Sequence, residues 1–310
     1  MRPEYSIQFK HLASSISLAV LLVLSLSAGA TAQQKVNETK AASATGLVKI
    51  NNFAGSVKVI AWNRNEVSVE GTLGEGTKRL EFEATSNEVT IRVVLPDEEE
   101  RRAQGIRNIE GTELEIRVPA GSNLEIETLS ADITSSGVTG DLRFNSLSGN
   151  VEVGGTASDV YVKTLSGDIT ISNRQGGISA GTMSGTIQIE EAVGAIKASS
   201  LSGDIHVTGS SIEDADINST SGDIRYRGGM SRDAILVVEN FSGEITLVLP
   251  SDISADFDIS TYSGDIKNAL GPQAERRSRF GPGKDLTFVT GSGDARVRVK
   301  TFSGDVSIEK

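Results

Sequence analysis

The chain has 310 residues, a formal net charge of −11, two histidines and no cysteine. The missing cysteines exclude a disulfide framework, a thiolate zinc site, a thiol nucleophile and a lipid-modified N-terminal cysteine. The acidic balance argues against a nucleic-acid or anionic-lipid partner, and His11 and His206 are too few for a zinc cluster or a Ser-His-Asp set.

Arg2, Lys10 and His11 precede an apolar stretch over residues 12–26, and Ala28-Gly29-Ala30-Thr31-Ala32 supplies an A-x-A cleavage site. This pattern defines residues 1–32 as a secretory signal peptide. The stretch is interrupted by serines and is short for a bilayer span of roughly 20 residues, so no membrane span is expected after cleavage. The protein is therefore expected to be exported, to the periplasm or to the cell surface. Residues 33–44 are polar and are expected to be disordered.

From residue 45 the pattern turns to strands. Leu47-Val48-Lys49-Ile50, Ser56-Val57-Lys58-Val59-Ile60, Val67-Ser68-Val69-Glu70 and Val89-Thr90-Ile91-Arg92-Val93 alternate apolar and polar residues, the signature of a strand with one buried face. No fixed period links them, so residues 45–128 read as an irregular β cap. Trp62, just after a strand, reads as part of that cap. Residues 96–111 include Asp97-Glu98-Glu99-Glu100-Arg101-Arg102, a charged excursion expected to be a solvated loop. Gly71-Thr72-Leu73-Gly74-Glu75-Gly76 lacks both the Lys-Ser/Thr ending and the following helix of a phosphate-binding loop.

Residues 129–310 carry a repeat. Between Leu147 and Lys310 nine Ser-Gly dipeptides begin at Ser148, Ser166, Ser184, Ser202, Ser221, Ser242, Ser263, Ser292 and Ser303, the first four at an interval of 18 residues. Apolar residues recur at matched offsets: Val151, Ile169, Ile187 and Ile205; Val153, Ile171, Ile189 and Val207; Val160, Ile178, Ile196 and Ala215; Val162, Ala180, Ala198 and Ile217. A two-strand unit cannot bury its apolar face alone, whereas stacking each unit on the last buries it in a continuous core. The expected fold is all-β: a β-solenoid of stacked two-strand repeats of about 18 residues.

The residues preceding Ser-Gly are Leu147, Leu165, Met183, Leu201, Thr220, Phe241, Tyr262 and Phe302. Counted across the corner, their phase matches the buried offsets, so they read as inward. The aromatic members would then widen or cap the interior, with an exposed sugar-binding stripe as the alternative. Gly in the corner permits the bend, and the following Asp can bond backbone N–H groups. One Gly-Asp per repeat is sparser than the two glycines and one aspartate every nine residues of calcium-binding β-rolls. The acidic corners therefore read as structural, and no metal or cofactor is expected. Residues 271–284 interrupt the repeat with Glu275-Arg276-Arg277-Ser278-Arg279-Phe280. Loops on a rigid scaffold are frequent binding sites, so Arg276, Arg277, Arg279 and Phe280 are the candidate partner contacts.

Three stretches carry a family resemblance: Val57-Lys58-Val59-Ile60-Ala61-Trp62 with Asn65-Glu66-Val67; Leu114-Glu115-Ile116-Arg117-Val118-Pro119-Ala120-Gly121-Ser122; and the Ser-Gly-Asp-Ile repeats. Over residues 45–310 the chain resembles the bacterial putative-adhesin family, a domain of unknown function built of β-strand repeats. Ser130-Ala131-Asp132, which lacks the glycine, departs from the pattern. The resemblance implies an envelope β-solenoid with a role in adhesion and supplies no catalytic residues. The expected function is thus a non-enzymatic surface-binding scaffold whose partner is an envelope protein or glycan. The alternatives are an envelope-stress accessory that contacts membrane regulators, and a polysaccharide-active enzyme with paired carboxylates.

Overall fold

The computed structural model describes residues 34–172, 176–276 and 281–310. Gln33–Lys310 form one compact unit, and the expected signal peptide lies outside the described residues. The fold is all-β, with one short helix among the described residues. Parallel strands stack with an 18-residue register in the regular region, giving a solenoid-like arrangement. Asp159–Ser166 lies between Leu142–Ser148 and Gly177–Ser184, with Val162 beside both Phe144 and Ala180. Ile169–Ser172 lies between Val151–Gly154 and Ile187–Ser202, with Ile171 beside Val153 and Ile189. Each repeat thus adds one rung to two ladders, as the matched offsets require.

The offsets read from the sequence as buried are buried. Val151, Ile169, Ile187 and Ile205 form one column, Val153, Ile171, Ile189 and Val207 a second, and all eight are at most 1% exposed. Each such side chain contributes about 1.5–3 kcal/mol relative to exposure. With no disulfide available, these columns are the main source of stability.

The corners rest on a close backbone approach. A Cβ placed on Gly203 would lie 2.0 Å from the carbonyl oxygen of Gly185, and the same clash recurs from Gly149 to Gly264. Only glycine lets successive corners stack at strand spacing. The following residue ties each corner to the next. Asp132 accepts a hydrogen bond from the N–H of Asn150 at 2.8 Å, Asn150 from that of Asp168 at 3.0 Å, and Asp168 from that of Thr186 at 2.7 Å. Asp204 and Asp223 repeat the arrangement with the N–H groups of Asp223 and Glu244. Each carboxylate is held by an amide dipole, which offsets repulsion along the column.

The C-terminal part departs from simple succession. The final strands, Ala295–Ser303 and Val306–Glu309, insert between Ile224–Ser242 with Ile245–Val248 on one side and Ala255–Ser263 with Ile266–Asn268 on the other. The corner order is therefore Gly222, Gly243, Gly304, Gly264. The Ser292-Gly293 copy is not a corner of this column. It forms a turn before Ala295, where the Ser292 amide donates to the Ser254 hydroxyl.

Both ends of the parallel stack are closed by antiparallel strands. At one end Arg79–Ala84 pairs with Glu88–Val94, and Glu66–Thr72 pairs with Thr112–Pro119. At the other, Lys284–Thr290 pairs with Ala255–Ser263 and with the two-residue strand Glu275–Arg276. Capping of this kind removes open parallel edges that could pair with other chains.

Three sequence expectations need correction here. The segment 33–44 is not structureless: Lys35–Ala41 is a strand paired antiparallel to Glu66–Thr72, because its backbone completes the exposed edge of that strand. The charged excursion contains the helix Glu98–Gln104, closed by a capping box between Asp97 and Glu100 and by Gly105 in the left-handed conformation. The expected boundary at residues 128–129 falls inside the strand Asn123–Ser136, whose pairing with Leu47–Trp62 runs through it.

Candidate functional site: an exposed apolar ladder

The largest departure from the sequence reading concerns the residues before the corners. They face outward. Within Asp159–Ser166, Val160, Val162 and Thr164 point inward, so Leu165 points to solvent. The glycine corner shifts the inside–outside alternation, and a phase carried back across it from Ile169 puts Leu165 on the wrong face. The same applies to Leu147, Met183 and Leu201. Phe241, Tyr262 and Phe302 therefore neither widen nor cap the interior.

Strand pairing lines these residues into one row. In spatial order it reads Leu129, Leu147, Leu165, Met183, Leu201, Thr220, Phe241, Phe302, Tyr262, with the half-buried Phe53 before Leu129. Ten large apolar side chains are exposed among the described residues, and eight of them belong to this row at 41–56% exposure. Phe241 and Phe302 stack at 4.8 Å between centroids and 4° between planes, and Tyr262 and Phe302 at 4.8 Å and 5°. The ring faces are turned toward each other and the edges toward solvent. At Thr220 a small side chain leaves a notch between Leu201 and Phe241.

The row is supported from beneath and flanked without net charge. Behind it, Ser146, Thr164, Thr182, Ser200, Ser219, Asn240, Thr301 and Thr261 form a buried polar column. Several of these side chains satisfy corner carbonyls: Thr182 donates to Gly167, Asn240 to Gly222 and Thr261 to Gly304, at 2.9–3.4 Å. On one side runs the exposed serine column of the corners. On the other, two residues back along each strand, stand Glu127, Asn145, Lys163, Gly181, Ser199, Asn218, Glu239, Lys300 and Ser260. A shallow groove of about 760 Å³ follows the aromatic end, lined by Asn218, Thr220, Glu239, Phe241, Tyr262, Lys300 and Phe302 among others.

A second groove, of about 690 Å³, crosses another face near Asp141, Arg143, Asp159, Tyr161, Lys197 and Asp216. Many of its polar groups are already engaged. The Arg143 guanidinium lies 4.7 Å from the Tyr161 ring centroid, Lys197 is 3.9 Å from Asp216, and Asp159 accepts the Gly177 N–H at 3.1 Å. The ladder is the more open of the two faces to a partner.

Of the candidate loop residues, Arg276 is exposed in the strand Glu275–Arg276, opposite Lys284. Arg277, Arg279 and Phe280 lie outside the described residues. Lys284 bonds to Asp265, and with Lys267 and Arg276 nearby it holds that carboxyl below the usual aspartate range. Trp62 sits in the capping end of the stack, its Nε1 donating to the Glu66 carbonyl at 2.8 Å with Arg64 over its ring. Among the described residues no three His, Asp or Glu side chains gather as a metal site, and no helix is long and apolar enough to cross a membrane.

A stack of glycine-cornered parallel strands, capped at both ends and bearing one uncharged apolar row, defines an all-β repeat domain with an exposed apolar face. Residues 45–309 match the Toastrack DUF4097 family, and the chain belongs to it. The family resemblance seen in the sequence thus holds. A putative adhesin from Parabacteroides distasonis has a similar structure, with a TM-score of 0.51 at 11% identity over 89% of this chain and 98% of that one. One from Bacteroides fragilis gives 0.43 at 12% identity over 89% and 97%. At such identities the likeness concerns the fold alone. No curated protein matches the chain.

Proposed function

We propose that the protein is an exported, non-enzymatic β-solenoid scaffold of the cell envelope, acting by binding, with the apolar ladder as its main contact face. The carrying observation is the concentration of exposed large apolar side chains in one row, on a chain whose other outward positions are mostly polar. A contiguous exposed apolar patch of this kind marks an interaction surface. The putative adhesins of similar fold support a binding role. The basic segment 271–284, with Arg276, Arg277, Arg279 and Phe280, supplies a second contact, directed to an envelope protein or glycan.

The test is binding of purified protein to isolated envelope fractions, comparing the wild type with Leu165→Ser/Phe241→Ser and with Arg276→Ala. Melting temperatures within a few degrees of wild type and weakening of at least about tenfold for the ladder variant are expected, tenfold being about 1.4 kcal/mol. Unchanged binding by the ladder variant would remove the ladder from the contact face. Turnover of a polysaccharide panel that an Asp→Asn substitution abolished would replace the binding reading with an enzymatic one.

A further inference from the structure

We propose that the occupant of the ladder is a second copy of this chain, docked antiparallel about a two-fold axis through Leu201. This rests on the reading of the ladder as a contact face and adds the identity of the partner.

The first argument is the orientation of the rings. Phe302 is stacked on both faces and Phe241 and Tyr262 on one face each, so four of the six ring faces are already covered. A sugar ring packs on an open aromatic face. Edges and leucine tips instead suit tip-to-tip contact with another ladder of the same spacing, about 4.8 Å per rung.

The second argument is complementarity under one symmetry operation. A two-fold axis lying in the contact plane and perpendicular to the ladder reverses the rung order and keeps each flanking column opposite itself. Centred on Leu201, it sets Met183 against Thr220, so the longest aliphatic side chain enters the notch left by the smallest rung. It sets Leu165 against Phe241. In the flanking column of Lys163 and Glu239 it brings these two residues opposite each other, twice. A two-fold axis along the ladder would instead set each rung against itself, leaving a void at Thr220.

The third argument is area. The nine rungs span about 38 Å, and a strip roughly 15 Å wide gives on the order of 580 Å² per partner, below the ~800 Å² per partner of a standard interface. The dimer is therefore reversible and concentration-dependent. It carries the two Glu275–Arg276 strands at opposite ends, which makes the assembly bivalent.

The absence of cysteine allows single-site cross-linking with no background. Residues 33–310, which form one compact unit, are purified as wild type and as Leu201→Cys and Leu129→Cys and treated with a short bis-maleimide. Leu201→Cys is expected to give a cross-linked dimer. Leu129→Cys is not, because its copies would stand about 38 Å apart. Sedimentation should show a monomer–dimer equilibrium that Lys163→Glu weakens at least about tenfold and that Lys163→Glu/Glu239→Lys restores. Equal cross-linking at both positions, or no rescue by the charge swap, overturns the arrangement. A monomer at all concentrations, with ladder variants still losing envelope binding, overturns the dimer and leaves the contact-face reading standing. Ladder variants that change neither readout sink both.

Discussion

Phe241 and Phe302 lie in neighbouring rungs, their rings stacked at 4.8 Å, although five described strands, from Ile245–Val248 to Lys284–Thr290, intervene in the sequence. The contact exists because the last strands of the chain insert between two earlier ones, with Asn240 beside Thr301 and Thr261 beside Thr301. The C-terminus is thus an internal layer of the stack and not a trailing end.

Removing that layer should be severe. Truncation after Gly293 deletes Val297, Val299, Val306 and Ile308, each at most 1% exposed. At about 1.5–3 kcal/mol apiece the loss is on the order of 6–12 kcal/mol, comparable with the whole stability of an ordinary domain. It also opens the edges of Ile224–Ser242 and Ala255–Ser263. The expected result is loss of cooperative thermal unfolding by circular dichroism, with aggregation on size exclusion. A truncated chain that melted like the full one would contradict the insertion.

The corner glycines should tolerate no side chain. Gly203→Ala places its Cβ 2.0 Å from the Gly185 carbonyl oxygen and should cost about 1–3 kcal/mol or more through forced backbone shifts. Gly154→Ala is the control, since its nearest neighbours lie 4.0 Å away. Urea unfolding of the pair should separate them clearly, and equal midpoints would show that the corners do not rely on this approach.

The acidic corners should behave as backbone acceptors. Asp168→Ala removes the acceptor for the Thr186 amide, 2.7 Å away, and should cost about 0.5–1.5 kcal/mol. Asp168→Asn should cost less, because Asn150 performs the same role for Asp168. A chelator should leave the melting temperature unchanged. A fall of several degrees on chelation, reversed by calcium, would assign the column to cation binding.

Asp265 gives a pH signature at the C-terminal end. Its hydrogen bond from Lys284, then the charges of Lys284, Lys267 and Arg276, hold its folded-state pKa below the ordinary value of 3.8. A depressed folded value means the stabilisation is present above the unfolded pKa and is lost as pH falls through the lower folded one. An NMR titration should place the Asp265 midpoint below 3.8, and Lys284→Met should return it toward that value. High salt should shrink the shift, since the group is solvent-exposed. A midpoint indifferent to Lys284→Met would refute the pairing.

The parallel stacking is legible in the repeat alone. An 18-residue spacing of Ser148, Ser166, Ser184 and Ser202, with β-branched residues at constant offsets, admits parallel in-register stacking and little else, because only that arrangement buries every apolar column at once. Tertiary structure decided two things. It decided the order of the last coils, since Ser242, Ser263 and Ser303 carry the same corner motif and nothing local distinguishes which rung each will occupy. It also decided which way the residue before each corner points. The clue lay within the strand, where Val160, Val162 and Thr164 already assign Leu165 to the outside. The glycine corner breaks the two-residue alternation, however, so counting from Ile169 gives the opposite face. A row that reads as core from one side of the corner is surface from the other, and the path of the backbone through Gly167 makes it surface.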